Sequence, residues 1–170
     1  EITQALIDID TDPTNFNSTI TGVAIASQIT AIESANGTGT INGSGITAIN
    51  GTTAEITQAL IDIDTDPTNF NSLLSAGAEN ASDITAIESA NGTGTITLSG
   101  TSMIINVSTN EALDLSGVTN SLSGNLTIND STGNENITGT TGDDIVNLTT
   151  GNDTVNLGNG SDTINVSATN

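Results

Sequence analysis

Apolar residues recur along this chain with two different periods. In the first half, Ile56, Ala59, Leu60 and Ile63 stand at i, i+3, i+4 and i+7, which draws one apolar stripe along a short helix. Thr52 and Glu55 have capping-box spacing at its start, and Pro67 is expected to end it. An equivalent stripe of Ile2, Ala5, Leu6 and Ile9 is stopped by Pro13. A shorter helical stretch around Ile84 and Ile87 runs into Asn91-Gly92, a helix-ending pair. Gly94-Thr95-Ile96-Thr97-Leu98 and Ile46-Thr47-Ala48-Ile49 read as strands between turn residues. The predicted unit is helix, loop, short helix, strand, turn, strand.

These patterns belong to a tandem repeat. The stretch from Glu1 to Ser18 returns unchanged from Glu55 to Ser72, and ITAIESANGTGTI runs from Ile29 to Ile41 and again from Ile84 to Ile96. A third ITAI occupies Ile46 to Ile49. Units of this length signal modular stacking, in which each buries its apolar face on its neighbour.

The second period is nine and begins near Ser121. Gly124, Gly133, Gly142, Gly151 and Gly160 form one column, and Ile128, Ile137, Val146, Val155 and Ile164 form another. Glu135, Asp144, Asp153 and Asp162 make an acidic column, with Leu126 in that place in a degenerate first turn. Leu148, Leu157 and Val166 follow two residues past the β-branched column and share its strand face, because side chains alternate along a strand. The chain thus divides into two tandem units of about 54 residues over 1–97, a connecting β segment over 98–120, and a nonapeptide region over 121–170.

Charge sharpens this picture. Asp and Glu total 20, and Lys, Arg and His are absent, so the net charge is −20 and no side-chain salt bridge can form. Folding crowds these carboxylates, and the missing positive charge has to come from solution; a hard divalent cation held by several oxygens is the natural source. The same composition excludes nucleic-acid partners, which need Lys and Arg against phosphate, and attraction to anionic membranes. No apolar run is long enough to insert in a bilayer, and Cys is absent. Starting at Glu1 rather than Met, the sequence reads as a piece of something longer or a processed product. Phe16 and Phe70 are the only aromatics, which suits a narrow core of stacked Ile, Val and Leu better than a thick globular one. The fold class expected is therefore mainly β, a parallel β-solenoid or β-roll, with short helices in the N-terminal tandem repeats.

GTTGDDIVN, LTTGNDTVN and LGNGSDTIN resemble the repeats-in-toxin nonapeptide, G-G-x-G-x-D-x-U-x with U a large aliphatic residue, over about the last 40 residues. The resemblance implies a parallel β-roll with two nonapeptides per turn and Ca2+ held in the Gly-rich loops. Glycine permits the loop dihedrals that aim carbonyls inward, and a carboxylate supplies charge for a hard cation. Carried onto this chain, the candidate metal residues are Glu135, Asp144, Asp153 and Asp162, with Gly133, Gly142, Gly151, Gly160, Asn134, Asp143 and Asn152 in the same loops. Loops eighteen residues apart would stack, placing Glu135 beside Asp153 and Asp144 beside Asp162. The first two Gly positions are mostly Thr, Leu or Ser, and Glu135 replaces Asp, so fewer or weaker sites are expected than in a consensus array.

Other patterns carry less. Asp8, Asp10 and Asp12, and again Asp62, Asp64 and Asp66, have D-x-D-x-D spacing, but Pro13 or Pro67 and Thr19 or Leu73 stand where a helix-loop-helix calcium loop needs Gly and Glu. They read as a polar helix end. Thr38-Gly39-Thr40 and Thr93-Gly94-Thr95 make no flat ice-binding array and read as ordinary strand threonines. Chance explains most of the Asn-x-Ser/Thr triplets, such as those at Asn36, Asn80, Asn106 and Asn147.

No His, Cys or Lys means no Ser-His triad, cysteine nucleophile, imidazole zinc site or Schiff base, so no enzyme is expected. The function expected is an extracellular, cell-surface structural protein that calcium folds and that polymerises with itself as a layer or fibre. Such repeats resemble those of surface-layer and giant surface-fibre proteins of Gram-negative bacteria and cyanobacteria. A cell-surface polysaccharide is a further candidate partner. The alternatives are a calcium-dependent adhesin for glycan, ice or a host surface, and the calcium-folding tail of a larger type I-secreted enzyme. A regular row of exposed side chains would mark an adhesin, and the sequence displays none.

Overall fold

Among the described residues every strand pairs in parallel with strands one circuit of the chain away. The computed structural model describes residues 15–167. The first helical stripe with Pro13, and Asp8, Asp10 and Asp12, lie outside them.

The chain advances in rungs. The first holds β1 (Ser18–Ile25) and α1 (Ala26–Asn36), and the second β2 (Ile41–Gly51) and α2 (Thr53–Asp62). The third holds β3 (Asn71–Ser75), β4 (Ala78–Asn80) and α3 (Ala81–Ala90), and the fourth β5 (Ile96–Gly100), β6 (Met103–Asn106) and β7 (Ala112–Asp114). The fifth holds β8 (Thr119–Leu122), β9 (Leu126–Asn129) and β10 (Asn136–Thr138). The sixth holds β11 (Asp144–Leu148) and β12 (Thr154–Asn156), and β13 (Thr163–Val166) opens the seventh. Three sheets result, in the orders β1-β2-β3-β5-β8, β4-β6-β9-β11-β13 and β7-β10-β12. Helices α1, α2 and α3 stack as a column, and β7 packs on α3, so the strand column β7-β10-β12 continues the helix column. The molecule is mainly β with parallel sheets, and among the described residues its helices all lie before Asn91.

Rung length changes along the stack. Strand pairs between neighbouring rungs join residues 22 to 26 apart through the first five rungs and 18 apart from Leu126 onward. The loss falls on one face: β8 ends its sheet, and the loop Gly139–Asp143 passes over it, with Asn120 Nδ2 reaching Thr140 Oγ1 at 3.5 Å. Two nonapeptides then complete a circuit.

Local chemistry explains the start of α2 and tertiary pairing its end. Thr52 accepts the Glu55 backbone N–H at 3.2 Å, and Glu55 Oε2 accepts that of Thr52 at 2.9 Å, closing the expected capping box at the start of α2. Ile56, Ala59 and Ile63 are buried and Leu60 is half-buried. The helix nevertheless stops at Asp62, well before Pro67. Ile63 turns extended to bury its side chain, and Asp64 then bridges to the previous rung, its N–H donating to Ile41 O at 3.0 Å and its carboxylate accepting from Ile41 N at 2.7 Å. Tertiary pairing ends the helix before proline can.

Two further expectations are overturned. The stretch read as a loop between helices contains β3 and β4, and in the first unit β1. The Thr-Gly-Thr triplets precede their strands and clamp rungs together. Asn69 Oδ1 accepts from both Thr93 N and Thr93 Oγ1 at 3.0 Å, and Asn71 Oδ1 accepts from Thr95 N at 2.9 Å and Thr95 Oγ1 at 3.2 Å. Asn15 Oδ1 accepts from Thr38 N and Oγ1 in the same way, and Asn17 Oδ1 accepts from Thr40 N at 2.9 Å. A Cβ on Gly94 would lie 1.8 Å from the Phe70 carbonyl oxygen, and Phe70 itself is buried, so the clamp admits only glycine there. Inside, Ile41, Ile49, Leu74, Leu98, Ile105 and Ile128 belong to one continuous aliphatic core.

Candidate metal centre

The loops that join β9 to β10 and β11 to β12 stack one above the other. Their asparagines form a ladder: Asn110 Oδ1 accepts the Asn134 N–H at 3.0 Å, and Asn134 Oδ1 accepts that of Asn152 at 2.8 Å. Gly133 and Gly151 bridge, and a Cβ on Gly151 would fall 1.5 Å from the Gly133 carbonyl oxygen, so side-chain-free backbone brings the loops this close. Glu135 N donates to Asp153 Oδ1 at 3.1 Å, and Glu135 Oε1 accepts from Asn110 N at 2.6 Å.

Asp130 completes the group. It stands where the inward-facing column later places Leu148, Leu157 and Val166, and it is only 9 % exposed. Its Oδ2 accepts from Thr149 N at 2.8 Å and Thr149 Oγ1 at 3.2 Å. Oxygens of Asp130, Glu135 and Asp153 all lie within 4.8 Å of one another. Asp130 Oδ1 and Glu135 Oε2 are buried without a hydrogen-bond partner, and Glu135 is 2 % exposed. Burial raises the Glu135 carboxyl above the usual glutamate range, and the neighbouring Asp130 and Asp153 add to the effect.

This arrangement fits a hard cation. Calcium takes oxygens at about 2.3–2.6 Å, so ligands on opposite sides of one ion stand about 5 Å apart. Three carboxylates converge within that span, and two buried lone-pair donors have no protein partner. The chain carries no Lys, Arg or His to neutralise them. Unpaired buried charge is costly, so an ion or protons must compensate it.

The second loop column is built differently. Asp144 N donates to Asp162 Oδ1 at 3.0 Å, and Ser161 N donates to Asp143 Oδ1 at 2.7 Å. A Cβ on Gly160 would lie 2.4 Å from the Gly142 carbonyl oxygen. Asp144 is fully buried, and Thr140 grips its carboxylate, the backbone N–H at 2.8 Å from Oδ2 and Oγ1 at 2.9 Å from Oδ1. Burial raises the Asp144 carboxyl, with Asp162 and Asp143 contributing.

The sequence-predicted residues therefore separate into groups. Glu135 meets Asp153 and Asp144 meets Asp162, in the two pairings the eighteen-residue step implies. The side-chain oxygens of Asn134 and Asp143 accept from the backbone of the next rung, Asn152 being the donor to Asn134 through its backbone N–H. Gly151 and Gly160 let backbone close onto the Gly133 and Gly142 carbonyl oxygens, whereas a Cβ on Gly133 or Gly142 would meet side chains, those of Glu135, Asn110 and Thr109 or that of Asn120. Sequence reasoning missed Asp130, although an acid in an otherwise aliphatic inward column was a signal for it. In the first half, Asp62 Oδ1 accepts from Gln58 Nε2 at 2.7 Å at the end of α2, and Asp64 serves the rung bridge.

No curated protein and no solved structure matches the chain. Residues 130–164, which contain this cluster, match the family model of the RTX calcium-binding nonapeptide repeat in four copies, and that stretch of the chain is a run of those calcium-binding repeats.

Proposed function

We propose that the chain is an extracellular structural segment, a β-solenoid whose last rungs form a β-roll folded by calcium, and that copies assemble into a surface layer or fibre. The observation that carries the calcium step is the buried, partnerless pair Asp130 Oδ1 and Glu135 Oε2 inside a run of calcium-binding repeats. Millimolar calcium outside a cell suits extracellular modules of modest affinity. Low calcium inside would leave this polyanion extended for export, and external calcium would close the loops afterwards.

Assembly follows from stacking. A stack of parallel rungs presents unpaired strand edges at its ends, and edges template further pairing. Among the described residues β13 is an outer strand of its sheet, and Ile164 and Val166 on it are exposed. A scaffold also needs no catalytic group, in keeping with a chain without His, Cys or Lys. No helix among the described residues is long and apolar enough to cross a membrane. Electron microscopy and light scattering with calcium and with chelator test this reading: calcium-dependent polymers support it, and protein that stays monomeric at millimolar calcium defeats the assembly part.

One observation favours the adhesin alternative. The sequence displays no regular row, but the fold makes one on the outer face of the β4-β6-β9-β11-β13 sheet. Asn129 Nδ2 donates to Asn106 Oδ1 at 3.2 Å, and Asn147 to Asn129 and Asn165 to Asn147 at 2.8 Å each. A ladder of amides at strand spacing offers repeated donors and acceptors to a polysaccharide. Calcium-dependent retention on a polysaccharide matrix, lost in an Asn129→Ala/Asn147→Ala double variant, would establish this second reading.

A further inference from the structure

We infer that the two loop columns of the C-terminal rungs are not equivalent: the 130–135 and 149–153 column takes one calcium ion, with Asp130 as the ligand that makes the site, whereas the 139–143 and 157–162 column closes on itself without an ion. The inference rests on the calcium reading above and goes further, since the repeat pattern by itself places an acid in both columns.

The difference lies in one register position. Counting by nines from Asp130 gives Gly139, Leu148 and Leu157, so a single repeat in this run supplies a carboxylate there. Where Asp130 is present, three carboxylates converge and two of their oxygens are buried without a partner. Where Gly139 stands instead, the next residue, Thr140, turns its backbone N–H and hydroxyl onto Asp144, so both oxygens of that fully buried carboxylate have donors. Asp143 spends its carboxylate on Ser161 N, and Asp162 accepts from Asp144 N. Among the described residues, Asp130, Glu135 and Asp153 are the one acidic group that converges on a common point. Thr140 thus gives Asp144 the donors that Asp130 and Glu135 lack, so this column leaves no buried carboxylate oxygen without a partner to call for a cation.

Isothermal titration of the full chain with calcium chloride, with tight ions counted per chain, tests this. The wild type is expected to bind one tight ion. Asp130→Asn keeps an oxygen for Thr149 and is expected to weaken that binding at least tenfold. Asp162→Asn keeps an acceptor for Asp144 N and is expected to leave the affinity within a factor of two. Thr140→Gly frees the Asp144 oxygens and is expected to raise the count to two. Two tight ions in the wild type, or a loss in Asp162→Asn equal to that in Asp130→Asn, overturns the inference while leaving the calcium reading intact. No tight ion in the wild type overturns both. The wild-type count does not depend on whether any variant folds, and circular dichroism at saturating calcium checks each variant.

Discussion

The backbone N–H of Glu135 donates to the Asp153 carboxylate over 3.1 Å, across a step of 18 residues along the chain. Each acid therefore helps fix the backbone of the previous rung while its remaining lone pairs face the loop interior. Ion binding and rung stacking depend on the same side chain, and the molecule's responses to calcium, acid and mutation follow from that coupling.

Removing calcium is expected to unfold at least residues 130–166. A ligand at a hundred times its Kd stabilises the folded state by about 2.7 kcal/mol, a large fraction of the stability of an ordinary domain. Circular dichroism and urea midpoints before and after exhaustive chelation provide the measurement. An unchanged β signal without calcium would contradict the proposal.

Acid is expected to stabilise the ion-free chain. Burial raises the carboxyls of Glu135, Asp144 and Glu88, so the folded state retains protons that the unfolded chain has already lost. That contribution is most favourable below the ordinary carboxylate range, about pH 4, and diminishes as pH rises through it toward the raised values. Asp114, held low by hydrogen bonds from Ser116, acts in the opposite sense but is exposed. The melting temperature of metal-free protein should fall from about pH 4 to about pH 7, and calcium should restore it at the neutral end. A melting temperature that climbs over that interval without metal would show the assignment of these groups to be wrong.

Gly94→Ala should destabilise the chain by about 1–3 kcal/mol or more, because its new methyl would meet the Phe70 carbonyl oxygen at 1.8 Å. Gly117→Ala is the control. Nothing lies within 4 Å of a Cβ at Gly117, and its change should stay within about 1 kcal/mol of zero. Urea midpoints at fixed calcium compare the two, and equal effects would remove the steric explanation.

Asn69→Ala deletes the acceptor for both Thr93 N and Thr93 Oγ1. The expected cost is about 1–2 kcal/mol, partly recovered by water because the pair is exposed. Hydrogen exchange at the Thr93 amide should accelerate with it. Unaltered protection at that amide would mean that the clamp does not hold the rung.

Much of this molecule was legible in its linear pattern. The phase of Gly, acid and aliphatic columns placed Glu135 against Asp153 and Asp144 against Asp162, because a strict period of nine carries its own register once two repeats make a circuit. The capping box at Thr52 and Glu55 was equally readable, since both partners lie within one helical turn. The first half was less readable. Strands β3 and β4 are short, and each is held by its neighbours more than by its own composition. Asp130 was overlooked because it is a single exception in an aliphatic column, and its significance appears only when Thr149 and Glu135 are seen around it.

Local spacing by itself determined the repeats, the helix start, the nonapeptide calcium loops and the absence of any internal counter-charge, because those properties reside in residues a few positions apart or in composition alone. Tertiary structure decided which residues 18, 23 or 24 positions apart meet. It thereby decided where α2 stops, what Asn69 and Asn71 hold, and which acids converge. The physical reason is that cross-rung register depends on how many residues each corner consumes, and no local periodicity encodes that number where the rung shortens and one face of the stack is lost.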